Sequence, residues 1–281
     1  LEPPAAPVDD DNALVEDLFA LLVAVRHNQV AAAPRTAEGA GTRAWPAVDL
    51  SMRLQGASHP ARLSLITQLA FKLGLLREVE GWLRPGPRAR EWLRISDERR
   101  ARSLFLGWRD DRRWNELHQI ADLRIEEAID LAASRRALLE VLAVCPAERW
   151  IPTGAFLEAL KRRRPDWLRG DADYVSWRVS DAATGQQHTG PTSWDHVEGA
   201  VAVHLLSTSL RWLGLVALSD AGAHPKAFRL TARGALLIAR STTAPPADPT
   251  SSLPPASIDD DLTVRIGVHN SLYERWQLER F

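Results

Sequence analysis

Leu73-Gly74-Leu75-Leu76 and Leu213-Gly214-Leu215-Val216 are two copies of one local pattern, about 140 residues apart. Each copy closes a run of apolar residues at helical spacing and places a Gly where a left-handed helix C-cap would lie. A return strand follows each copy, Trp82-Leu83-Arg84 after the first and Ala227-Phe228-Arg229-Leu230 after the second. Helix, capping Gly, hairpin and further helix are the elements of a winged helix in order, and the sequence predicts two such units.

The predicted fold is mainly α with small β-wings, as tandem winged-helix modules that a helical connector joins. A chain of 281 residues is long enough for two compact domains. Five segments are predicted: a flexible tail over 1–11, the first module with the helical connector over 12–125, the second module over 126–240, a linker rich in Ser, Thr and Pro over 241–257, and the truncated start of a further domain over 258–281.

Charge and composition exclude several classes of protein. A formal net charge of −1 gives no global attraction to nucleic acid, so any such binding must come from local clusters. A single cysteine, Cys145, excludes an internal disulfide and a zinc site built from cysteines. No run approaches the roughly 18 apolar residues of a membrane span. We therefore expect a cytoplasmic protein without membrane association.

The motifs of common catalytic sites do not occur in the sequence. A phosphate-binding loop needs a Gly directly before its Lys, and none of the three lysines has one. Gly39-Ala40-Gly41 has two of the glycines of a dinucleotide-binding motif but lacks the third. His188, His196 and His204 have no further ligands at the spacing of a known metal site. We expect no enzyme activity, no cofactor and no metal in this chain.

A set of motifs in the first half supports a resemblance to a known family. They are Leu73-Gly74-Leu75-Leu76, Trp82-Leu83-Arg84-Pro85, Glu91-Trp92-Leu93, Trp108-Arg109-Asp110 and Trp114-Asn115-Glu116-Leu117. In this order, the segment 69–117 resembles the helicase-associated helix-turn-helix region of bacterial proteins grouped with the XPB-type helicases. The stretches 228–234 and 262–281 resemble later parts of the same region. The resemblance implies a DNA-engaging accessory role in a helicase-related protein, although no motor motif is visible here.

Local basic clusters indicate where nucleic acid could bind. The densest run is Lys161 to Arg164, followed by Arg169; such a cluster can neutralise phosphates, or serve as solvated charge at a helix C-terminus. In the first module the third helix offers polar and basic side chains to a DNA groove, and the wing adds another. The predicted contact residues are Arg62, Gln68, Lys72, Arg84, Lys161, Arg162, Arg163, Arg164 and Arg169.

The eleven tryptophans divide into core residues and stacking candidates. Those at helical spacing with Leu are expected in the core: Trp92, Trp108, Trp114 and Trp212. Trp167 and Trp177 lie near the basic run in irregular chain, so they are the candidates for stacking on bases.

Two functions stay open at this point. The first is a non-catalytic DNA-binding accessory region of a helicase-related protein, with duplex DNA as the expected partner. The alternative is a winged-helix scaffold for protein–protein interaction without direct DNA contact, in which the arginines are ordinary solvated charge. Convergence of the basic clusters on one face would favour the first.

Overall fold

A computed structural model describes residues 4, 7–10, 12–27, 30, 60–126, 129–170, 174, 176–239, 257–259, 263–265 and 272–279. Its α-helices are α1 (Ala13–Arg26), α2 (Pro60–Lys72), α3 (Ala89–Arg94), α4 (Asp97–Arg109), α5 (Ala132–Leu142), α6 (Thr153–Arg163), α7 (Ala200–Leu205), α8 (Ala232–Ala239) and α9 (Leu272–Leu278). Its strands are β1 (Leu76–Val79), β2 (Trp82–Pro85), β3 (Leu123–Ile125), β4 (Trp150–Pro152), β5 (Val179–Asp181), β6 (Val216–Leu218), β7 (Ala227–Leu230), β8 (Ser257–Ile258) and β9 (Val264–Arg265). The predicted helix over 45–54 and nearly all of the predicted linker lie outside the described residues.

Among the described residues the fold is mixed α and β, with about 53% helix and 13% strand. The strands form small antiparallel sheets, β1 with β2, β3 with β5, β8 with β9, and a three-stranded sheet in the order β4-β7-β6. The predicted mainly α fold of tandem winged-helix modules is therefore wrong. The sequence pattern missed β3 and β4 because strands of three residues are too short to show apolar alternation.

The apolar spacing from Trp114 to Cys145 predicts helix nearly throughout, but the structure interrupts this segment. A 3₁₀ turn at Glu116–Gln119 and strand β3 precede α5, which alone is α-helical there. Asn115 begins the 3₁₀ turn, since its Oδ1 accepts a hydrogen bond of 3.0 Å from the amide of Leu117. Asp130 accepts one of 2.9 Å from the amide of Ala132 at the start of α5. Side chains that cap new elements thus break the helical pattern.

Both glycines of the repeated pattern end a helix in the left-handed conformation, as expected. The φ angles are +71° at Gly74 and +69° at Gly214. The amide of Leu75 donates to the carbonyl of Ala70 at 2.8 Å, and Gly74 donates to Phe71 at 3.0 Å. The same two hydrogen bonds recur around Gly214, and together they make the Schellman motif at both helix ends. The predicted capping glycines are confirmed, and each directs the chain into a strand.

The core contains the predicted tryptophans and a buried ion pair. Trp92, Trp108, Trp114 and Trp212 are all buried, which confirms their predicted place. Among them lies Glu116, which is fully buried and paired with the guanidinium of Arg135 at 2.7 Å. Trp108 Nε1 donates to the same carboxylate at 2.7 Å, and Ser209 Oγ lies at 3.5 Å from it.

Arg135 is held equally completely. Its Nη1 donates to the carbonyls of Trp108 at 3.1 Å and Asp111 at 2.6 Å, and its Nη2 donates to the carbonyl of Trp114. The pair therefore joins α4, the 3₁₀ turn, α5 and the helical segment around Ser209. Because both charges are desolvated, the hydrogen bonds from neighbouring backbone and side chains are what make their burial tolerable.

The helical segment that carries Ser209 contains two π-helical stretches, Asp195–Gly199 and Leu206–Leu210, on either side of α7. Each stretch supplies one polar side chain to a buried cluster. Glu198 in the first pairs with Arg169, and Ser209 in the second approaches Glu116. π-Helical turns often occur where a helix has to point a side chain in a particular direction.

Both ends of the described chain pack onto the body of the fold. Val8 exchanges two backbone hydrogen bonds of 2.9 Å with Leu218 of β6, and Asp10 is buried beside Arg62 and Arg211. At these residues the structure differs from the flexible tail expected over 1–11. No helix among the described residues has the length and apolar character needed to cross a bilayer.

Helix α9 docks onto α1 and α3 through aromatic and charged side chains. Trp276 lies under the guanidinium of Arg26, 3.8 Å from ring centroid to Cζ, and its carbonyl accepts from the same guanidinium. Arg94 of α3 lies 4.1 Å from the ring centroid of Tyr273. Arg275 donates to Glu16 at 2.9 Å. The segment 258–281, predicted to begin a further domain, is therefore packed in part against the first helices.

We predict that Glu116→Ala lowers the free energy of unfolding by about 3–5 kcal/mol, because it leaves the Arg135 charge buried without its counter-ion. Glu116→Gln keeps an acceptor and should be milder. Urea denaturation measures both. The control is Arg112→Ala, which removes an 81% exposed partner from a 3.6 Å ion pair and should change stability by at most about 1 kcal/mol. Equal losses in Glu116→Ala and Arg112→Ala would contradict the importance of the buried pair.

We predict that Gly74→Ala and Gly214→Ala each lower stability by about 1–2 kcal/mol, since a side chain disfavours the left-handed conformation. Gly154, near the start of α6, is the control because an added Cβ there meets no atom within 4 Å and φ is not positive. Thermal unfolding of the three variants should show a loss at the two junctions only. A loss of the same size at Gly154 would contradict the conformational explanation.

Candidate nucleic-acid interface

The β1–β2 hairpin is a short, tightly turned element that displays one face to solvent. Its turn is Glu80-Gly81, with φ angles of 52° and 76°, as in the two-residue turns that match strand twist. The register pairs Arg77 with Arg84, and Val79 with Trp82. Because side chains alternate along a strand, these two pairs lie on the same face. The turn thus fixes which residues share the surface.

The opposite face of the hairpin anchors it. Leu76 and Leu83 are buried there, and the Leu83 amide donates to the carbonyl of Val30 at 3.0 Å. In contrast, Val79 is 37% exposed and Trp82 is 42% exposed, which is unusual for large apolar side chains in this protein. We name the face formed by Arg77, Val79, Trp82 and Arg84 the hairpin face.

The neighbourhood of the hairpin face is basic. Residues 72–90 contain five basic side chains, Lys72, Arg77, Arg84, Arg88 and Arg90, against two acidic ones, Glu78 and Glu80, which gives a local net charge of +3 where the whole chain has −1. Lys72, Arg77, Arg88 and Arg90 are exposed, and Arg84 is half-buried. The Arg88 side chain passes over Gly74, so the helix junction positions it beside the hairpin. Glu78 lies on the anchored face, opposite Leu83.

The predicted contact residues of α2 have partners within the chain. Arg62 is buried, its Nη2 is 2.6 Å from the Asp17 carboxylate, and Asp10 lies at 3.5 Å from its Nη1. Burial lowers the pKa of Arg62, and the two carboxylates counteract that effect. Gln68 donates to Asp111 at 2.9 Å. These two side chains stabilise the core and are not presented to a ligand.

Lys72 differs from the other two because it is exposed. Partial desolvation lowers its pKa, while the carboxylates of Asp111 and Asp110 act in the opposite direction. Its charge is therefore partly balanced within the chain. Lys72 belongs to the basic neighbourhood of the hairpin, and it lies on the side of that neighbourhood nearest to Asp110 and Asp111.

The basic run at the end of α6 is likewise shared with carboxylates. Lys161 Nζ is 2.7 Å from Asp195, and Arg164 pairs with Glu140. Arg162 and Arg163 are exposed. Asp195, at the start of the following helical segment, thus lies directly against this run.

Arg169 is the most deeply buried of the predicted contact residues. Its Nε is 2.6 Å from Glu198 Oε1, and Nη2 donates to Oε2 at 3.0 Å and to Ser193 Oγ at 3.2 Å. Nη1 donates to the carbonyl of His188 at 3.0 Å. Both charged side chains have no exposed surface, so Arg169 orders the loop before α7 and does not reach nucleic acid.

A histidine pair covers this second buried ion pair. The rings of His188 and His196 stack with centroids 5.8 Å apart and planes inclined by 17°. The pKa of His188 is lowered, first by desolvation and then by the nearby His196, with Arg169 acting in the same direction. Asp181 and Glu198 oppose the shift. The neutral form of His188 is therefore favoured in the folded protein.

The stacking candidates from the sequence are not the exposed tryptophans. Trp167 is 3% exposed, and Trp177 is half-buried against the core. Of the tryptophans that the structure describes, Trp82 is the exposed one. Trp82 and Arg77, on the same hairpin face, were both missed in the sequence analysis. The missed signal was the two-residue turn: once Glu80-Gly81 is the turn, the pairing of Arg77, Val79, Trp82 and Arg84 on one face follows.

Among the described residues, no group of three or more His, Cys, Asp or Glu side chains is arranged to hold a metal ion. Cys145 is half-buried, its Sγ donates to the carbonyl of Val141 at 3.8 Å, and burial raises the pKa of its thiol. A thiol of raised pKa is a poor nucleophile.

Comparison with known proteins gives no further assignment. No family model matches the chain, and neither the curated proteins nor the solved structures provide a match. The resemblance to a helicase-associated region therefore stays a prediction that rests on the sequence motifs. The arrangement of exposed and buried side chains is the basis for the function proposed below.

We predict that the free energy of unfolding falls as the pH drops from about 8 through the ordinary titration range of histidine. The folded state disfavours protonated His188, whereas the unfolded state takes up the proton near pH 6.5, so acid favours unfolding. Urea denaturation across this range checks the slope. His188→Gln keeps both backbone hydrogen bonds of residue 188 and should flatten the slope. An unchanged slope in that variant would contradict the assignment.

Proposed function

We propose that this chain is a non-catalytic DNA-binding region that contacts DNA through the hairpin face and its neighbouring arginines. The observation that carries the proposal is the exposed Trp82 at the turn end of a hairpin face whose next cross-strand pair is Arg77 with Arg84, while the other face is anchored in the core. Cations displayed beside an exposed aromatic ring are the combination that binds phosphate and base together.

The distribution of charge supports this surface over the others predicted from the sequence. Arg62 and Arg169 are paired with buried carboxylates, and Lys161 and Arg164 are paired at the surface. The stretch 72–90 keeps an excess of three positive charges. A local excess in a chain of near-neutral net charge indicates weak or moderate binding with a clear dependence on salt.

The wider setting of this activity comes from the sequence alone. The motifs between residues 69 and 117 suggest that the chain works beside a helicase motor, and the proposal includes that role. DNA contact by the hairpin does not depend on it. The two parts of the proposal can thus be tested separately.

A specific observation favours the alternative, a protein-interaction scaffold. Val144 is 65% exposed after α5, and Leu236 is 51% exposed on α8, both away from the hairpin in sequence. Exposed large apolar side chains are typical of protein contacts when they form a patch. A scaffold would bind no DNA at any salt concentration, which makes the two functions easy to distinguish.

We predict that a labelled DNA oligonucleotide binds the chain with an affinity that falls as salt rises, measured by fluorescence anisotropy. Reversing two charges near the hairpin, Arg77→Glu with Arg88→Glu, removes two phosphate contacts and should lower the slope of log affinity against log salt by about 1.4–1.8. The matched control, Arg162→Glu with Arg163→Glu, makes the same change in net charge on α6. Equal effects of the two double variants, or no binding by the unaltered chain, would contradict the proposal.

A further inference from the structure

We propose, on the basis of the function proposed above, that the hairpin face selects unpaired nucleic-acid strands over duplex by stacking a base on the indole of Trp82. The indole lies at the end of β2 next to the turn, where 42% of its surface is exposed. Its cross-strand neighbour is Val79, an exposed apolar side chain on the same face.

The hairpin backbone that carries the Trp82 ring is fixed before any base binds. The two-residue turn restricts the backbone, and the contacts of Leu76 and Leu83 fix the opposite face. A ring that is already held in place loses little freedom when a base stacks on it. The stacking energy is therefore available for binding.

The arginines of the hairpin face are placed for the backbone of the same strand. Arg77 and Arg84 form the next cross-strand pair on this face, about 7 Å from the Val79–Trp82 pair because residues two apart on a strand are so spaced. A base on the indole thus places its own or an adjacent phosphate beside a guanidinium. The indole and the two guanidinium groups would therefore contact the same strand, as in other surfaces that bind single strands.

A duplex fits this surface less well. In a duplex the faces of the bases are covered by their neighbours, so Trp82 could stack only after unstacking a step. The helix that would read a groove, α2, has Arg62 and Gln68 directed to carboxylates of the chain itself. The duplex partner expected from the sequence therefore loses Arg62 and Gln68 as recognition side chains.

The test compares two labelled probes by fluorescence anisotropy, an oligothymidine of about 20 nucleotides and a duplex of the same length. The unaltered chain should prefer the single strand. Trp82→Ala should weaken binding of the single strand roughly 5- to 100-fold, the range expected for loss of one stacked base, and change duplex binding less than about twofold. Trp82→Phe should retain most of the single-strand affinity because it retains a ring.

Two controls keep the outcome interpretable. Val144→Ala removes another exposed apolar side chain and should change neither affinity. Thermal unfolding checks that the Trp82 variants keep their fold, which the exposure of that side chain favours. Equal affinity for the two probes, or equal loss of both in Trp82→Ala, would overturn the stacking inference while leaving salt-dependent binding by the arginines intact. Binding of neither probe would overturn the proposed function itself.

Discussion

The buried pair of Glu116 and Arg135 is the constraint on which the arrangement of the central segments depends. Each charge lies in a core that excludes water, so each must find hydrogen-bond partners in the protein. Trp108 supplies an indole N–H to the carboxylate, and backbone carbonyls from three residues accept from the guanidinium. The partners named here lie within residues 108–114, directly before Glu116, whereas Arg135 belongs to α5. The pair therefore fixes α5 against this stretch of chain.

Buried pairs of an arginine and a carboxylate occur at two other places in the fold. They change how the many arginines of this sequence are to be interpreted. Arg169 with Glu198 and Arg62 with Asp17 are buried pairs of similar geometry. Arginine suits this role because its planar guanidinium can serve several acceptors at once. Two of the predicted contact residues, Arg62 and Arg169, are consequently part of the internal structure and not of a binding surface. Surface charge is left in excess at the hairpin, where the two acidic residues are few against the five basic ones.

Features within a single helix could be predicted from the sequence, whereas the packing of distant segments against one another could not. Helix-capping glycines and core tryptophans depend on spacing within one helix, and both were predicted correctly at Gly74 and Trp108. The cap at Thr231 is of the same kind, since its hydroxyl accepts from the amide of Gly234 at 2.8 Å. Asn12, by contrast, accepts from Arg233 and caps no helix through its side chain. Arg62 and Arg169 pair with carboxylates 45 and 29 residues away, and Asn12 with an arginine 221 residues away. Such contacts leave no signal in a local pattern, and that is why the buried arginines were missed.

The packing of α9 makes the order of the carboxyl-terminal segment conditional on the amino-terminal helix. A helix of seven residues is too short to persist by itself in water. Its helical form therefore exists through the rings of Tyr273 and Trp276, which lie against Arg94 and Arg26. Detachment of α9 from the fold and unwinding of α9 therefore occur as a single cooperative event. The order of α9 depends on α1, although 250 residues separate Arg26 from Trp276.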